Sequence, residues 1–277
     1  MKTTNKIKRV IPGFGLSMGT TVFYLSIIVL IPLGAVFIKT VRMSPADFWA
    51  AVTAPRVLNA YKISFGCALI AAAVNGVFGL VLSWVLVRRP FPGRKIIDGL
   101  IDLPFALPTS IAGIALTAVY CETGWIGGLL SRIGIQSAFS TLGITIALVF
   151  VGIPFVVRTV QPVLEALDGQ YEEAAVMLGA GPMRTFFRVV LPELLPALIT
   201  GFALAFARGI GEYGSVIFIA GNIPMKTEIA PLLIMSKLEQ YDYNGATAIA
   251  VVILLISFAM LLLINLIQRR TDRLARR

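Results

Sequence analysis

The stretch ISFGCALIAAAVNGVFGLVLSWVLV, residues 63–87, contains no charged side chain and is apolar along nearly its whole length. A helix needs about 20 mostly apolar residues to cross the hydrocarbon core of a bilayer, which is about 30 Å thick. The stretch therefore predicts a membrane-spanning helix. On either side of it, further runs predict five more spans, at residues 10–38, 103–121, 133–157, 194–222 and 243–268.

The composition agrees with a chain that lies mostly in lipid. Of its 277 residues, 57% are hydrophobic and 14% are charged, whereas soluble domains carry about 25% charged residues. The chain has no histidine, which removes the commonest general base and transition-metal ligand. Cys67 and Cys121 have no metal-ligand spacing, so we interpret them as packing residues. A membrane enzyme is disfavoured for these reasons.

Positive charges are distributed unevenly between the two sides of the six predicted spans, with sixteen on one side and seven on the other. The cytoplasmic side of a membrane protein carries the excess, so both termini are predicted to be cytoplasmic, as six spans also require. Membrane orientation thus explains the net charge of +10, and no nucleic-acid partner is expected. The first run is too long for a signal peptide, and we expect it to be retained as a span. The sixteen residues are Lys2, Lys6, Lys8, Arg9, Arg88, Arg89, Arg94, Lys95, Arg158, Arg184, Arg188, Arg269, Arg270, Arg273, Arg276 and Arg277.

The predicted cytoplasmic loop between spans four and five reads YEEAAVMLGAGPMRTFFRVVLPELLPAL from residue 171. Its first part predicts a helix with Asp168 as a candidate N-cap. Glu172 and Glu173 follow in the first turn, where the helix dipole favours negative charge. Gly179 suits the position just past the end of this helix.

A second helix is predicted to follow the turn at Gly179. Pro182 suits its first position, and Leu191, which precedes Pro192, is predicted to end it. From periodicity alone, an amphipathic helix resting on lipid headgroups explains this segment equally well. Its apolar side consists of Phe186, Phe187, Val189 and Val190.

Spacing within the loop gives a more specific signal. The spaced positions are Glu173, Ala174, Ala175, Gly179, Val189, Leu191 and Pro192. They resemble the EAA loop of permeases from ATP-driven (ABC) importers, although the family form has isoleucine where this chain has Val189. Nearly the whole chain is similar to sulfate/thiosulfate permeases, above all to the T-type of their two related subunits. The similar segments are IPGFGLSMGT (11–20), NGVFGL (75–80), FPGR (91–94), DLPFALPTSIAG (102–113), IPFVVRTVQPVLE (153–165) and FARGIGEYGSVIFIAGN (206–222).

This resemblance implies an all-α integral membrane protein of the bacterial inner membrane, with six transmembrane helices and the type I ABC importer permease (MetI-like) fold. Residues 1–60 would hold the N-terminal cytoplasmic tail, the first span and a periplasmic loop. Residues 61–268 would form the permease core, with the coupling loop at about 165–193, and 269–277 a basic tail. Span one is expected to be peripheral.

The resemblance also implies partners: a dimer of cytoplasmic ATPase subunits, a periplasmic sulfate/thiosulfate-binding protein, and a second permease that is either the W-type subunit or another copy. The chain itself would bind no cofactor, because ATP and magnesium belong to the ATPase. Glu173 would contact that ATPase, and Ala174 and Gly179 would be small where two backbones meet. The docking residues implied are Glu172, Glu173, Ala174, Ala175, Gly179, Val189, Leu191 and Pro192.

Two charges, Arg208 and Glu212, fall inside span five, four residues apart, and would share one face of a helix. Ionisable groups at membrane depth are costly and usually pair or line a cavity. The pair is interpreted either as a structural ion pair or as positive potential along an anion path. Thr109 and Ser110, after two prolines, are further candidates for that path, and Asn222 ends the span.

The predicted substrate explains why ATP is needed. At about 100 mV negative inside, importing a dianion costs about 4.6 kcal/mol. The chain contains no GxxxxGK[ST] phosphate loop, so ATP would be bound by another polypeptide. Molybdate or tungstate is the alternative substrate. A secondary anion transporter is a further alternative, although the spans lack the carboxylate or histidine chain that proton coupling commonly uses.

Overall fold

The computed structural model describes residues 14–275, with side chains for all of these except 267 and 269–275. Its described part contains helices and no strand, which confirms the predicted all-α class. The helices are α1 (Phe14–Val41), α2 (Pro45–Thr53), α3 (Pro55–Arg88), α4 (Arg94–Ile101), α5 (Leu103–Ala106), α6 (Thr109–Tyr120), α7 (Gly127–Arg132), α8 (Thr141–Ala166), α9 (Gln170–Met177), α10 (Pro182–Ile210), α11 (Gly214–Ala220), α12 (Ala230–Glu239) and α13 (Tyr243–Ala275).

Five of these helices are long and apolar enough to cross a membrane: α1, α3, α8, α10 and the Tyr243–Leu266 part of α13. The third predicted span, 103–121, is instead divided between α5 and α6. Leu107 precedes a proline and is extended, as that position favours, which separates the two helices. Because α6 has 12 residues, it is about 18 Å long and does not cross the membrane alone.

The fourth span begins later than predicted. Residues 133–140 do not belong to it, because the chain turns at Gly134, where φ is +77°. Helix α8 then starts at Thr141, and the Ser140 side chain accepts a hydrogen bond from the Gly143 amide at 3.3 Å. An N-cap of this kind determines where the helix starts. It does so here although the apolar run continues on both sides of Ser140.

The fifth span was predicted as one helix to Asn222, and this prediction is wrong. Helix α10 ends at Ile210, and the short helix α11 follows after a break at residues 211–213. Glycine is a poor helix former, and Gly211 sits at the break. The Glu212 carboxylate then accepts a hydrogen bond from the Ser215 amide at 2.9 Å, which stabilises the start of α11.

Helices α3, α8 and α10 pack closely in the centre of the molecule. A Cβ added at Gly79 would lie 2.7 Å from Val156 Cγ1, and one added at Gly201 would lie 2.8 Å from Val156 Cα. Small residues of this kind let membrane helices approach one another. By contrast, the 18-residue apolar window of α1 has no buried residue, which agrees with the expectation that this span is peripheral.

An ion-pair network joins α4 to the half of α8 that leads into α9. The Arg158 guanidinium donates to the carboxylates of Asp98 and Asp102 at 2.7–2.9 Å, to the Asp98 carbonyl at 2.8 Å and to Gln161 at 2.9 Å. Planar guanidinium groups suit such multiple contacts with carboxylates. Arg158, which the sequence presented only as one of the cytoplasmic charges, therefore fixes the chain that leads into α5 and α6.

Candidate functional site: the helical turn at Gly179 and the Arg208–Glu212 ion pair

The first helix of the predicted cytoplasmic loop, α9, starts after Gly169 and not after Asp168. The Asp168 carboxylate accepts a hydrogen bond from the Gln170 amide at 3.0 Å, two residues further along. An Asp side chain bonded to the backbone two residues on forms a turn. Asp168 therefore shapes the approach to α9, and Gly169 occupies the N-cap position that the sequence assigned to Asp168.

The end of α9 has the geometry predicted for Gly179. Its backbone is left-handed, with φ at +81°. The Gly179 amide donates to the Val176 carbonyl and the Ala180 amide donates to the Ala175 carbonyl, both at 2.9 Å. These two bonds define a Schellman motif, in which a glycine just past the helix satisfies its last carbonyl groups.

The second helix of the segment does not end at Leu191, contrary to the prediction. Helix α10 begins at Pro182 and continues through Pro192 to Ile210, with a π-helical turn at Phe186–Val190. Proline lacks an amide hydrogen and disrupts the ordinary ladder of a helix, whereas a π-turn accommodates a local change in hydrogen bonding. The second helix of the predicted cytoplasmic loop is therefore continuous with a candidate membrane span.

The apolar side of this second helix largely faces the protein. The Phe186 ring packs edge-on against Trp84 at 5.2 Å between centroids, and Val190 is fully buried. Phe187 is exposed. This arrangement does not fit an isolated amphipathic helix that rests on headgroups, because its central apolar residues already have protein partners.

An exposed apolar tip lies at the end of α9. The side chains of Met177 and Leu178 are each 89% exposed, and Val176 and Met183 are exposed beside the same turn. Contiguous exposed apolar surface marks interaction sites. Sequence analysis missed this tip; the available signal was an apolar Val-Met-Leu run just before a glycine in a loop assigned to the cytoplasm.

The eight residues implied for docking divide into inward-facing and outward-facing ones. Glu172 forms an ion pair with Arg88 at the end of α3, with 2.7 Å between Oε1 and Nη2. Glu173 is exposed and makes no ion pair with any described residue. Ala174, Gly179 and Pro192 are exposed, and the other three members are half-buried: Ala175, Val189 and Leu191.

The ion pair in the fifth crossing forms as predicted, but across the break and not along one helix. Arg208 Nη1 lies 2.5 Å from Glu212 Oε2. The other carboxylate oxygen of Glu212 accepts from the amide and the hydroxyl of Ser215, both at 2.9 Å. The Glu212 side chain is 1% exposed and that of Arg208 is 36% exposed.

Arg208 lies inside the predicted fifth span, beside the first third of the apolar run 63–87 of α3. The next residue, Gly209, packs on Ala68 of α3, since a Cβ added there would lie 3.4 Å from Ala68 Cβ. Along α3, Ala68 is 6 residues from Lys62, the charge that precedes the apolar run, and 20 residues from Arg88. At 1.5 Å per residue these separations are about 9 Å and 30 Å. Arg208 therefore lies beside the apolar run of α3, closer to its Lys62 end.

The start of α6 packs against the break. A Cβ added at Gly214 would collide with Thr109 Oγ1, and one added at Gly113 would collide with the Ser215 carbonyl. Ser110 is exposed, and Thr109 is half-buried. The structure thus brings Thr109 and the Arg208–Glu212 pair onto neighbouring elements, while Asn222 lies beyond the far end of α11 with a left-handed backbone, φ +47°.

In comparisons with known proteins, this chain is similar to permease subunits of transport systems. The family described as "Binding-protein-dependent transport system inner membrane component" matches residues 75–277. The chain is 49% identical over 266 residues to the sulfate transport system permease protein CysT of Escherichia coli (strain K12), covering 96% of each chain. It is 53% identical over 248 residues to a probable sulfate transport system permease protein cysT of Nephroselmis olivacea, covering 90% of this chain and 87% of the relative.

Solved structures share the fold at low sequence identity. A bacterial ABC transporter for import of the acidic polysaccharide alginate matches with a TM-score of 0.75 and 14% identity, over 92% of this chain and 94% of that one. The MetNI methionine ABC transporter matches with a TM-score of 0.57 and 19% identity, over 83% and 98%. These permeases have the type I importer fold expected from the sequence. With the family match over most of its length, the chain belongs to the binding-protein-dependent transport system inner membrane components.

Proposed function

We propose that the chain is the T-type permease subunit of an ATP-driven importer that carries sulfate and thiosulfate into a bacterial cell. The assignment of sulfate as the substrate is supported by the similarity to CysT sulfate permeases, which are identical to this chain at about half of all positions over nearly the full length. In this proposal a periplasmic binding protein delivers the anion, and the chain lies in the inner membrane with both termini in the cytoplasm.

The proposed coupling surface is the cytoplasmic tip made by α9, the turn at Gly179 and the start of α10. Its exposed Met177 and Leu178 would enter an apolar groove on an ATPase subunit, and Glu173 would contact that subunit at its edge. Ala174 and Gly179 would allow close approach of the two backbones. Glu172 serves the chain itself, because its pair with Arg88 holds α9 against the end of α3.

Motion of the ATPase subunits would then pass directly into the membrane. The part of the tip that begins at Pro182 is continuous with the span, so displacement of the tip would displace the span. ATP and magnesium would bind to the ATPase, and this chain would bind neither. The second permease of the pair would be the related W-type subunit or another copy of this chain.

The proposal is tested by uptake in a bacterial strain that lacks sulfate uptake. The chain is expressed with an ATPase, a second permease and a binding protein, and labelled sulfate is compared with labelled molybdate. We expect sulfate uptake that disappears when the phosphate-loop lysine of the ATPase is replaced. Uptake that survives this replacement would indicate a secondary transporter, and uptake of molybdate alone would assign the other oxyanion.

A further inference from the structure

Arg208 is a charged residue whose partial exposure needs an explanation. Its side chain is 36% exposed, and it lies beside the apolar run of α3, about 9 Å along that helix from Lys62 and about 30 Å from Arg88. An arginine that faced hydrocarbon within a span would be unfavourable, so such residues almost always face the bundle interior or a water-filled cavity. The exposed side of Arg208 therefore faces water or a second permease, and not lipid.

The carboxylate beside Arg208 is turned away from that exposed side. Glu212 is 1% exposed. One of its oxygens lies against the Arg208 guanidinium, and the other accepts both hydrogen bonds from Ser215. An anion that approached Arg208 would thus meet guanidinium N–H groups and not a free carboxylate oxygen.

The remaining donors of Arg208 are available. A guanidinium has five N–H donors, and Arg208 makes no hydrogen bond to any described residue apart from its contact with Glu212. Ser110, on the adjoining start of α6, adds an exposed hydroxyl. Two backbone amides at the start of that helix, those of Thr109 and Ser110, have no helical partner, as is usual in a first turn.

We propose that Arg208 is the residue that contacts a divalent oxyanion as it passes through the membrane, and that Glu212 is a positioning residue that holds the guanidinium at the break between α10 and α11. This inference rests on the proposed function. Because Glu212 neutralises much of the charge, the contact is weak, and transport requires a site that an ion can both enter and leave.

The test uses the complete importer in proteoliposomes, with sulfate-loaded binding protein at saturating concentration. Sulfate uptake and ATP hydrolysis are measured on the same preparation. The main variant is the double substitution Arg208→Gln with Glu212→Gln, because removing both members leaves no buried charge without a partner. We expect uptake to fall about 10- to 100-fold, while hydrolysis stimulated by the binding protein stays within about twofold.

A matched control is available at the outer end of α3. Arg56 donates two hydrogen bonds of 2.7 Å to Glu228, whose side chain is also 1% exposed. Arg56→Gln with Glu228→Gln removes a pair of the same chemistry away from Arg208. The control is expected to leave the ratio of uptake to hydrolysis unchanged, whatever it does to thermal stability. The ratio of uptake to hydrolysis is expected to be closer to that of the unaltered importer in Glu212→Asp than in Glu212→Gln.

The outcomes separate the inference from the function on which it rests. Absence of sulfate uptake by the unaltered importer would refute the proposed function. Sulfate uptake by the unaltered importer together with uptake within about twofold in the Arg208/Glu212 double variant would refute the role of Arg208. A parallel loss of uptake and hydrolysis in that variant would also refute it, because a purely structural pair changes both equally.

Discussion

The turn at Gly179 provides a direct test of the coupling surface. Its φ of +81° is a conformation that residues with a Cβ adopt at a cost of about 1–2 kcal/mol. A Cβ added there would meet nothing within 4 Å, so the cost of Gly179→Ala comes from the backbone alone. This penalty corresponds to a factor of about 5–30 in the equilibrium constant for forming the turn, which is the upper limit of the fall in its population.

If the ATPase binds only the formed turn, its apparent dissociation constant rises as that population falls. We therefore expect Gly179→Ala to weaken ATPase attachment by up to about 30-fold. Gly179→Asn is expected to have an intermediate effect, because asparagine tolerates the left-handed region better than alanine does. The measurement is a titration of purified ATPase against the permease pair in lipid nanodiscs.

The matched control is Gly181→Ala in the same turn. Gly181 has φ −71° and ψ +162°, which alanine adopts readily, and the space around it is also open. Attachment should stay within about twofold of the unaltered chain. The reasoning would be refuted by equal weakening in the Gly181 and Gly179 variants, or by a Gly179→Ala variant that binds the ATPase as tightly as the unaltered chain.

Three further predictions concern the tip, the core and an ion pair outside the spans. Met177→Asp is expected to abolish attachment in the same titration, because the docked state would bury an unpaired carboxylate. Gly152→Ala is expected to lower stability by about 1–3 kcal/mol in detergent melting, since the added Cβ would collide with Asn75 Nδ2. The hydrogen bond from Lys237 lowers the pKa of Asp242 from its ordinary 3.8; the resulting stabilisation is present above 3.8 and is lost as the pH falls through the lowered pKa. Lys237→Met should therefore lower the melting temperature at pH 7 and have no such effect in strong acid.

Each of these predictions has a result that would count against it. Met177→Leu should preserve attachment of the ATPase. If attachment were lost in that variant too, the buried carboxylate could not be the cause of the loss in Met177→Asp. Gly76→Ala, at a helical position with open space around it, should melt like the unaltered chain, whereas the Gly152 variant should not. A constant difference between the Lys237 variant and the unaltered chain at every pH would exclude the ion pair as the cause.

The helical type and the position of most membrane elements could be predicted from the sequence because they depend on local composition. Long apolar runs with few or no charges have few alternatives to spanning lipid, and five of the six predicted spans appear as long helices. The end of α9 was also predictable, because Gly179 acts through its own backbone freedom and needs no distant partner.

The differences from the predicted helices have two causes. The break after Ile210 is formed by sequence neighbours of Glu212, namely Arg208 and Ser215, which the prediction of one continuous apolar helix did not take into account. The passage of α10 through Pro192 depends on a π-turn packed against the distant Trp84, and such tertiary contacts override local propensity. The Arg158 network was missed for the same reason, since its carboxylates lie at least 56 residues away in the chain.

Because α10 is one continuous helix from Pro182 to Ile210, it can tilt as a single rigid rod. Between Pro182 and Arg208 the rod has 26 residue steps, or about 39 Å at 1.5 Å each. Tilting such a rod by about 10° around its inner end would carry the guanidinium sideways by about 7 Å. A modest rocking at the start of α10 would thereby move the Arg208 guanidinium relative to Thr109 without any helix having to unwind.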